Sequence, residues 1–432
     1  MPKERRVVIT GLGPLCAIGF GKEALWKSIL GEKSGLHKEE IFLDKQLWDS
    51  FWMHKIKDFN INNFGIDKEV LKEISGFRQG REDNDFLYPL AATQLALKDS
   101  GLDYNRDDNN IGFFLTIEHP GFEPFCESLT KEGLNYFKEK SRLKENPSEF
   151  GFYQHLFSKF SDYGQELQSF MYLYLVAKAM GFRGYSLFTN NACASGLFAL
   201  DAAYTQIKFK DTDVAIIAGG DNPAGMLKHL WFKERNLYAE DGKIKPFSKN
   251  ADGIVFGEGY SAILLEELNH AKKRGANIYA EYTGGGFSLE GWKLILPNPI
   301  SNSYGKAIEG ALKNSEIKAQ DIDLINPHGV GIKITDQYEA KAITNMFGNK
   351  TPVSAFKPYV GHNLGGSAIL ESIILILALQ NGIIPASLNC DDFDSRYNIN
   401  LIRKQQNKKL TTVMKLSCGF AGYNAAAVFR KV

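Results

Sequence analysis

Short runs rich in branched and aromatic residues alternate with helix-like stretches along most of this 432-residue chain. The strand-like runs include RVVITGLG, DVAIIAGG, YSAILLEEL, NIYAEYTGGG, DIDLINPHG and TTVMKLSCGF. Leu87–Ser100 and Glu371–Gln380 have the spacing of amphipathic helices. This alternation is typical of an α/β protein and predicts sheets whose strands are largely parallel. The length is enough for one large double-sheet domain or two ordinary domains.

Two regions, residues 40–81 and 121–168, break the alternation. Both are rich in Phe, Tyr, Lys and Glu and have no clean periodicity. They are either a cap laid over the sheets or a pair of surface insertions. The charged run NHAKKRGAN follows one predicted strand and precedes another. We place a boundary there, between an N-terminal unit, 1–270, and a C-terminal unit, 271–432.

The composition narrows the class of protein. With 51 basic and 50 acidic residues, the net charge of +1 argues against a nucleic-acid partner held by bulk electrostatics. No uninterrupted run of 18 apolar residues and no secretory signal pattern is found, so we expect a cytoplasmic protein without a membrane span. The five cysteines include no CxxC pair, which disfavours a disulfide framework or a zinc ribbon. No metal site is expected, because no close His/Cys/Asp cluster occurs.

One glycine motif is a weak candidate for a binding site. VVITGLGPLC has two glycines after a predicted strand, which is similar to an incomplete dinucleotide fingerprint. Cys16 stands at the third glycine position, and Glu23 comes too early to contact a ribose. A nicotinamide site is therefore not predicted.

Cys193 is a stronger candidate. It lies in FTNNACASGLFALDAAYTQI, where a polar strand end leads through small residues into a helix pattern. Small neighbours permit a sharp turn, and the positive end of a helix dipole favours a thiolate over a thiol. On this segment alone, a nucleophile and a buried, inert cysteine are equally good interpretations.

Two histidines downstream favour the nucleophile. His328 follows a predicted strand in DLINPHGVG, and His362 lies at a glycine-rich turn in SAFKPYVGHNLGGSAILESI. A cysteine with histidines near it is the arrangement used in nucleophilic catalysis. The remaining histidines have charged or aromatic neighbours, and we expect them to be structural: His37, His54, His119, His155, His229 and His270.

The C-terminal segment KLSCGFAGYNAAAVF is rich in small residues, which allow a close approach of the backbone. The N–H of Phe420 could contribute to an oxyanion hole there. The alternative is a tight turn between two closing strands.

Together these segments resemble the β-ketoacyl-(acyl carrier protein) synthases of the thiolase superfamily, of the elongating type with a Cys-His-His triad. The matching motifs occur in order along nearly the whole chain: ITGLG, NACASG, KPFSKNADGIVFGEG, NPHGVG, KPYVGHNLGGSAILES and CGFAGYNAA. The resemblance implies a five-layered α-β-α-β-α fold made of two similar βαβαβαββ halves. It also implies an acyltransferase that performs a decarboxylative Claisen condensation. Its substrates would be phosphopantetheine thioesters delivered by an acyl carrier protein, with no permanently bound cofactor.

The resemblance also assigns roles to residues. Cys193 would accept the acyl group, and His328 and His362 would bind the malonyl thioester and assist the loss of carbon dioxide. Phe420 matches the family's gating phenylalanine, and its N–H would complete an oxyanion hole with that of Cys193. Three more residues match charged positions near the histidines: Lys357, Glu339 and Glu371.

The sequence departs from the family along the path of the pantetheine arm. Val330 and Ile332 stand where family members usually have threonines that hydrogen-bond this arm, and Ile295 aligns with another such threonine. Each lost bond would cost roughly 1–3 kcal/mol if the amide is buried. Ala421 replaces a usual glycine. We therefore predict a specialised polyketide, polyene or pigment synthase, the alternative being tolerated drift in a housekeeping fatty-acid enzyme.

The resemblance implies a homodimer, with a heterodimer containing a second synthase-like subunit as the alternative. Because carrier proteins are acidic, the basic residues Arg78, Arg81 and Lys72 are candidates for carrier docking. Three other functions remain open. A thiolase would use Cys418 as a second cysteine, a chain-length-factor-like subunit would be non-catalytic, and an ester- or amide-forming acyltransferase would replace the malonyl carbanion.

Overall fold

The computed structural model of the protein describes residues 5–43, 45–77, 83–209, 212–223 and 225–432. The strands are β1 (Val7–Cys16), β2 (Gly19–Phe20), β3 (Leu36–Leu43), β4 (Gln46–His54), β5 (Gly112–Thr116), β6 (Ser186–Thr189), β7 (Val214–Asp221), β8 (Phe256–Gly257), β9 (Gly259–Glu267), β10 (Ala280–Leu289), β11 (Leu324–Asn326), β12 (Pro352–Val353), β13 (Ile383–Ile384), β14 (Asn400–Leu401), β15 (Gln406–Asn407), β16 (Thr412–Cys418) and β17 (Tyr423–Arg430). The α-helices are α1 (Lys22–Leu30), α2 (Lys68–Phe77), α3 (Asn84–Ser100), α4 (Phe122–Arg142), α5 (Glu149–Glu166), α6 (Ser169–Met180), α7 (Ser195–Phe209), α8 (Met226–Lys233), α9 (Leu268–Lys273), α10 (Ser303–Asn314), α11 (Lys333–Phe347), α12 (Lys357–Val360) and α13 (Ser367–Asn381).

The main sheet repeats one strand arrangement. Its order is β14-β12-β11-β16-β17-β10-β1-β9-β7-β5-β6. The sets β6-β5-β7-β9-β1 and β12-β11-β16-β17-β10 have the same chain order and the same directions, with β1 and β10 joined at the centre. In each set the outer three strands are parallel and the inner pairs are antiparallel.

The prediction of largely parallel strands is therefore wrong for the inner half of the sheet. Residues 419–422 alone join β16 to β17. A connection this short can form an antiparallel hairpin, whereas a parallel pair needs a crossover of a dozen or more residues.

Two helices, α7 and α13, lie between the two sets of strands. Leu200 of α7 and Ile373 of α13 share one core with Ile217 of β7 and Val413 of β16. On the outer faces, α3 packs on β1 and β9, while α10 packs on β10 and β17. These layers confirm the predicted five-layered α-β-α-β-α fold.

Helix α13 was expected to be amphipathic, but every residue from Ser367 to Leu379 is buried. The reason is its place in the central layer, where protein surrounds it on all sides. In the described part of the chain, one segment, Leu364–Asn381, is long and apolar enough to cross a bilayer by length and composition, and 89% of it is buried here. Such burial is typical of a core helix.

The glycines of the ITGLG motif serve packing between a strand and a helix. A Cβ on Gly13 would lie 2.1 Å from the carbonyl oxygen of Ala92, and a Cβ on Gly11 would lie 2.4 Å from that of Ala96. Both carbonyls belong to α3, so the absence of side chains lets β1 and α3 pack closely.

The two irregular regions form separate small structures. β3 and β4 form a hairpin that pairs with β8. Helices α4 and α5 form an antiparallel pair that packs chiefly against itself, with Phe150 and Phe157 strongly exposed. This favours the surface-insertion interpretation for residues 121–168.

Candidate active site

Cys193 lies on a tight turn between β6 and α7. The preceding residue, Ala192, has a φ of 50°, in the left-handed region that a small side chain tolerates best. Ser195 Oγ accepts the N–H of Asn191 and donates to the carbonyl of Ala192, both at 2.6 Å. A Cβ on Gly419 would lie 3.0 Å from the Cys193 nitrogen. The turn thus brings the backbones of Cys193 and the Phe420 loop together.

The thiol of Cys193 is buried. Burial raises its pKa well above the usual range, the charge of Glu118 raises it further, and Lys357 opposes the shift. The N-terminus of α7 favours a thiolate, but burial of the thiol acts in the opposite direction on this pKa. The cysteine therefore needs a proton acceptor during its reaction.

His328 is fixed through its backbone by a buried carboxylate. Glu339 accepts the N–H of His328 at 2.6 Å and that of Gly329 at 2.8 Å. The His328 Nδ1 atom is 3.4 Å from Nζ of Lys357. Because an ammonium group only donates, Nδ1 is the acceptor and the ring proton belongs on Nε2.

His362 lies beside His328, with ring centroids 5.4 Å apart and planes at 79°. Its Nδ1 atom is 2.8 Å from Oγ of Ser367, whose hydroxyl can donate to it and leave the proton on Nε2. Burial lowers the pKa of both imidazoles well below the usual range, and the charge of Lys357 lowers both further. Both histidines are therefore neutral hydrogen-bond donors.

A buried charge network lies behind the histidines. Lys357 Nζ donates to the His328 carbonyl at 2.7 Å and to Glu371 at 3.0 and 3.1 Å. Lys415 donates to the same carboxylate and, at 3.0 Å, to the carbonyl of Pro327. Burial lowers the pKa of Lys415 to about 8. One carboxylate thus holds two lysines against the backbone that carries His328.

Cys193, His328 and His362 line one cavity of about 50 Å³. The predicted alkyl residues Val330, Ile332 and Ile295 also line it. Its polar lining includes Glu290, Thr335, Tyr338 and Asn424. The cavity in front of the triad therefore carries alkyl groups at all three positions named from sequence.

Phe420 separates this cavity from a second one. Its ring stacks on Phe232 at 5.7 Å and 20°. The second cavity, of about 330 Å³, is also lined by Cys193, Phe232 and Phe420. Ala421 lines neither cavity. It has a φ of 60° in the turn that carries Phe420, a position suited to the glycine that the family usually has.

Family models match most of the chain. The model described as "Beta-ketoacyl synthase, N-terminal domain" matches residues 4–271, and "Beta-ketoacyl synthase, C-terminal domain" matches residues 279–391. The chain belongs to the β-ketoacyl synthase family. The predicted identity as a condensing enzyme of the acyltransferase class is thereby confirmed.

Full-length relatives agree with this family. A 3-oxoacyl-(acyl-carrier-protein) synthase 2 of Staphylococcus aureus (strain COL) is 28% identical over 440 residues, which cover 100% of this chain and 99% of the relative. The solved ishigamide ketosynthase/chain length factor has a TM-score of 0.82 at 23% identity, with full coverage of both chains. The AntDE:AntF complex, a type II PKS acyl-carrier protein with its ketosynthase bound to the hexaketide, has a TM-score of 0.77 at 25% identity, also with full coverage.

Several residues around this β-ketoacyl synthase site were not found from sequence. Lys415 interrupts the apolar run TTVMKLSC, and a charged residue in a buried strand was the available signal. Ser367 lies five positions after His362 in the same motif, so its contact with Nδ1 is local. Ser417 donates to the carbonyl of Cys193, which is far away in sequence.

The remaining predicted positions lie away from the site or outside the described residues. Lys72 is exposed on α2, while Arg78 and Arg81 lie outside the described residues. His54 and His229 are buried structural histidines, as expected, and burial lowers their pKa values to about 4 and about 3. His119 was also expected to be structural, but it lines the second cavity.

Proposed function

We propose that this β-ketoacyl synthase uses Cys193 as its acyl-carrying nucleophile and acts in a specialised polyketide, polyene or pigment pathway. The observation that carries the proposal is the cavity in front of the triad, where Val330, Ile332 and Ile295 present alkyl groups. A buried amide of the pantetheine arm that lacks a hydrogen-bond partner there would weaken binding by roughly 1–3 kcal/mol. A synthase with an ordinary fatty-acid role gains nothing from this loss.

In the first half-reaction, the Cys193 sulfur attacks the thioester of an acyl carrier. The new carbon–sulfur bond forms as the bond to the carrier's sulfur breaks, and the thiol proton passes to the leaving sulfur. The N–H groups of Cys193 and Phe420 stabilise the negative oxygen that forms between the two bonds.

In the second half-reaction, the Nε2–H groups of His328 and His362 donate to the thioester oxygen of a malonyl carrier. Loss of carbon dioxide leaves an enolate on that carrier, and these two donors stabilise it without a metal ion. The enolate carbon attacks the acyl carbonyl and displaces the sulfur of Cys193. Lys357 and Glu371 act as positioning residues, because they hold the His328 backbone and ring.

The other functions fit the site less well. A chain-length-factor-like subunit needs no triad, and Cys193, His328 and His362 are all present in one cavity. A thiolase would use Cys418 as a second thiol, and Cys418 lines the same cavity as Cys193. The family models that match the chain, however, describe β-ketoacyl synthases. Malonyl dependence separates a synthase from a thiolase, and mass spectrometry of the products separates it from an ester- or amide-forming acyltransferase.

Partners follow from the same proposal. A carrier protein bound to its ketosynthase is present in the AntDE:AntF complex. For this chain we place the carrier near Lys72, with Arg78 and Arg81 as further contacts. The assembly is a homodimer or a heterodimer with a synthase-like subunit, and each subunit divides into the halves 1–270 and 271–432.

Elongation of saturated acyl carriers of increasing length, with malonyl carrier present, tests the specialised role. We expect slow turnover across the series by the wild-type protein. The Val330→Thr/Ile332→Thr double variant should turn over faster, because it restores two hydroxyls to the cavity. Brisk elongation of the whole saturated series by the wild type would show a housekeeping enzyme instead.

A further inference from the structure

The second cavity beside Cys193 has walls that are mainly apolar. It lies across Phe420 from the cavity that contains the histidines, and its volume is about 330 Å³. Its apolar wall is formed by the side chains of Phe122, Leu227, Trp231, Phe232 and Leu364. An acyl chain attached to the Cys193 sulfur has room to extend into this space.

One acidic side chain in this wall lacks a full set of partners. Glu118 follows β5 and lines the cavity together with Cys193. The backbone N–H of Gly365 binds its carboxyl group. Among the described residues, none donates to Glu118 Oε1, although that atom is buried. Leaving a buried polar atom without a hydrogen-bond partner typically costs about 1–3 kcal/mol.

The nearby cation, Lys228, forms its ion pair with a different carboxylate. Lys228 Nζ, also in the cavity wall, is 3.0 Å from Oδ1 of the fully buried Asp221. Burial and the charge of Asp221 raise the pKa of the Glu118 carboxyl, while Lys228 opposes the shift, and the resulting pKa is about 8. Burial thus favours the protonated form of the Glu118 carboxyl group, which can both donate and accept a hydrogen bond.

A plain alkyl chain and a functionalised chain would meet Glu118 differently. A saturated chain would cover the carboxyl group and leave its open bonding positions unfilled. A chain with a hydroxyl or carbonyl group could exchange a hydrogen bond with it. Sites built to hydrogen-bond a substrate group discriminate strongly against analogues that lack the group.

Resting on the proposed function, we infer that Glu118 selects acyl chains that carry a hydroxyl or carbonyl group over saturated chains of the same length. Glu118 is thus a specificity-determining residue for the acyl group held by Cys193.

The experiment measures loading of Cys193 from octanoyl carrier and from a set of hydroxy- and oxo-octanoyl carriers that differ in the position of the oxygen. Mass spectrometry of the intact protein gives kcat/KM for each chain. For the wild type we expect at least one oxygenated chain to load about 10-fold faster than octanoyl. Glu118→Leu should reverse the preference, and Glu118→Gln, which keeps hydrogen-bonding atoms and shape, should retain it.

Glu127→Leu is the matched control, because Glu127 is exposed on α4 and does not line the cavity. It should behave as the wild type. Equal loading of all chains by the wild type, or an unchanged preference in Glu118→Leu, overturns the inference while leaving the proposed function intact. If no chain loads onto Cys193 in any protein that still reacts with iodoacetamide at this residue, the proposed function fails, and the inference fails with it.

Discussion

His328 and His362 illustrate how burial sets the chemistry of single residues. Each Nδ1 atom has a neighbour that can donate to it, Lys357 for His328 and Ser367 for His362. The proton of each neutral ring therefore belongs on Nε2, which makes that atom the donor. A charged imidazolium would also donate, but it would be costly in a buried site that already contains lysine charges.

The neutral state of the histidines predicts how stability depends on pH. Because burial lowers the pKa of both imidazoles, the unfolded chain binds protons below pH 6.5 that the folded protein does not bind. The free energy of unfolding of the wild type should therefore fall by about 1.4 kcal/mol per pH unit for each of these histidines as the pH falls below 6.5. Urea denaturation at pH 7 and pH 5 measures this fall. It should be smaller in His362→Gln than in the wild type, because the variant lacks one of the two histidines. Parallel losses in both proteins would contradict a neutral His362.

Thr335 predicts a second effect at the residue scale. It lies three positions after Ile332, lines the same cavity, and offers a hydroxyl near the positions where family members usually have threonines. Thr335→Val should raise KM for malonyl carrier about 5-fold with little change in kcat, as expected for a lost binding contact. Gln337→Ala, exposed on the same helix, is the control. An unchanged KM in Thr335→Val would exclude this contact.

At the scale of elements, the turn between β16 and β17 carries backbone strain. Ala421 adopts φ 60° and ψ 6°, a conformation that disfavours a side chain by roughly 1–2 kcal/mol. Ala421→Gly should therefore raise the free energy of unfolding, by about 0.5–1 kcal/mol after the entropy of glycine is counted. Ala425→Gly, in the buried part of β17, should lower it. Urea denaturation of the two variants checks this, and destabilisation by both would contradict it.

The elements themselves were largely predictable, whereas their arrangement was not. The runs that became β7, β9 and β16 are apolar enough to be recognised alone, and α3 has clear helical spacing. Strand direction depends on which strands pair, and these partners are far apart in sequence. Contacts between residues that are far apart in sequence also explain which parts of the site could be predicted. Cys193 and His328 lie in local motifs, while Lys415 acquires its role only by meeting Glu371 in the fold.

At the scale of the whole molecule, two surfaces suit an interface with another subunit. Strand β6 is the last strand of the main sheet, so one of its edges lacks a neighbour among the described strands. On the α4–α5 insertion, Phe150 is 79% exposed and Phe157 is 71% exposed. Exposed apolar groups of this size commonly mark interaction surfaces.

We therefore predict that the chain forms a dimer, either with itself or with a synthase-like subunit. Phe157→Glu should lower the fraction of dimer, because a charge at an apolar interface is costly to bury. Size-exclusion chromatography with light scattering measures the masses, and Lys159→Glu, exposed on the same helix, controls for added negative charge. Equal masses for Phe157→Glu and the wild-type dimer would exclude this face of α5 from the interface.

In the proposed mechanism, Cys193 carries the acyl group until the malonyl-derived enolate removes it. Incubation with acyl carrier alone, followed by peptide mass spectrometry, tests this claim most directly. We predict a thioester on Cys193 that forms in Cys418→Ala, is absent in Cys193→Ala and disappears when malonyl carrier is added. Acyl groups found on Cys418, or an acyl-Cys193 that malonyl carrier leaves unchanged, would contradict it.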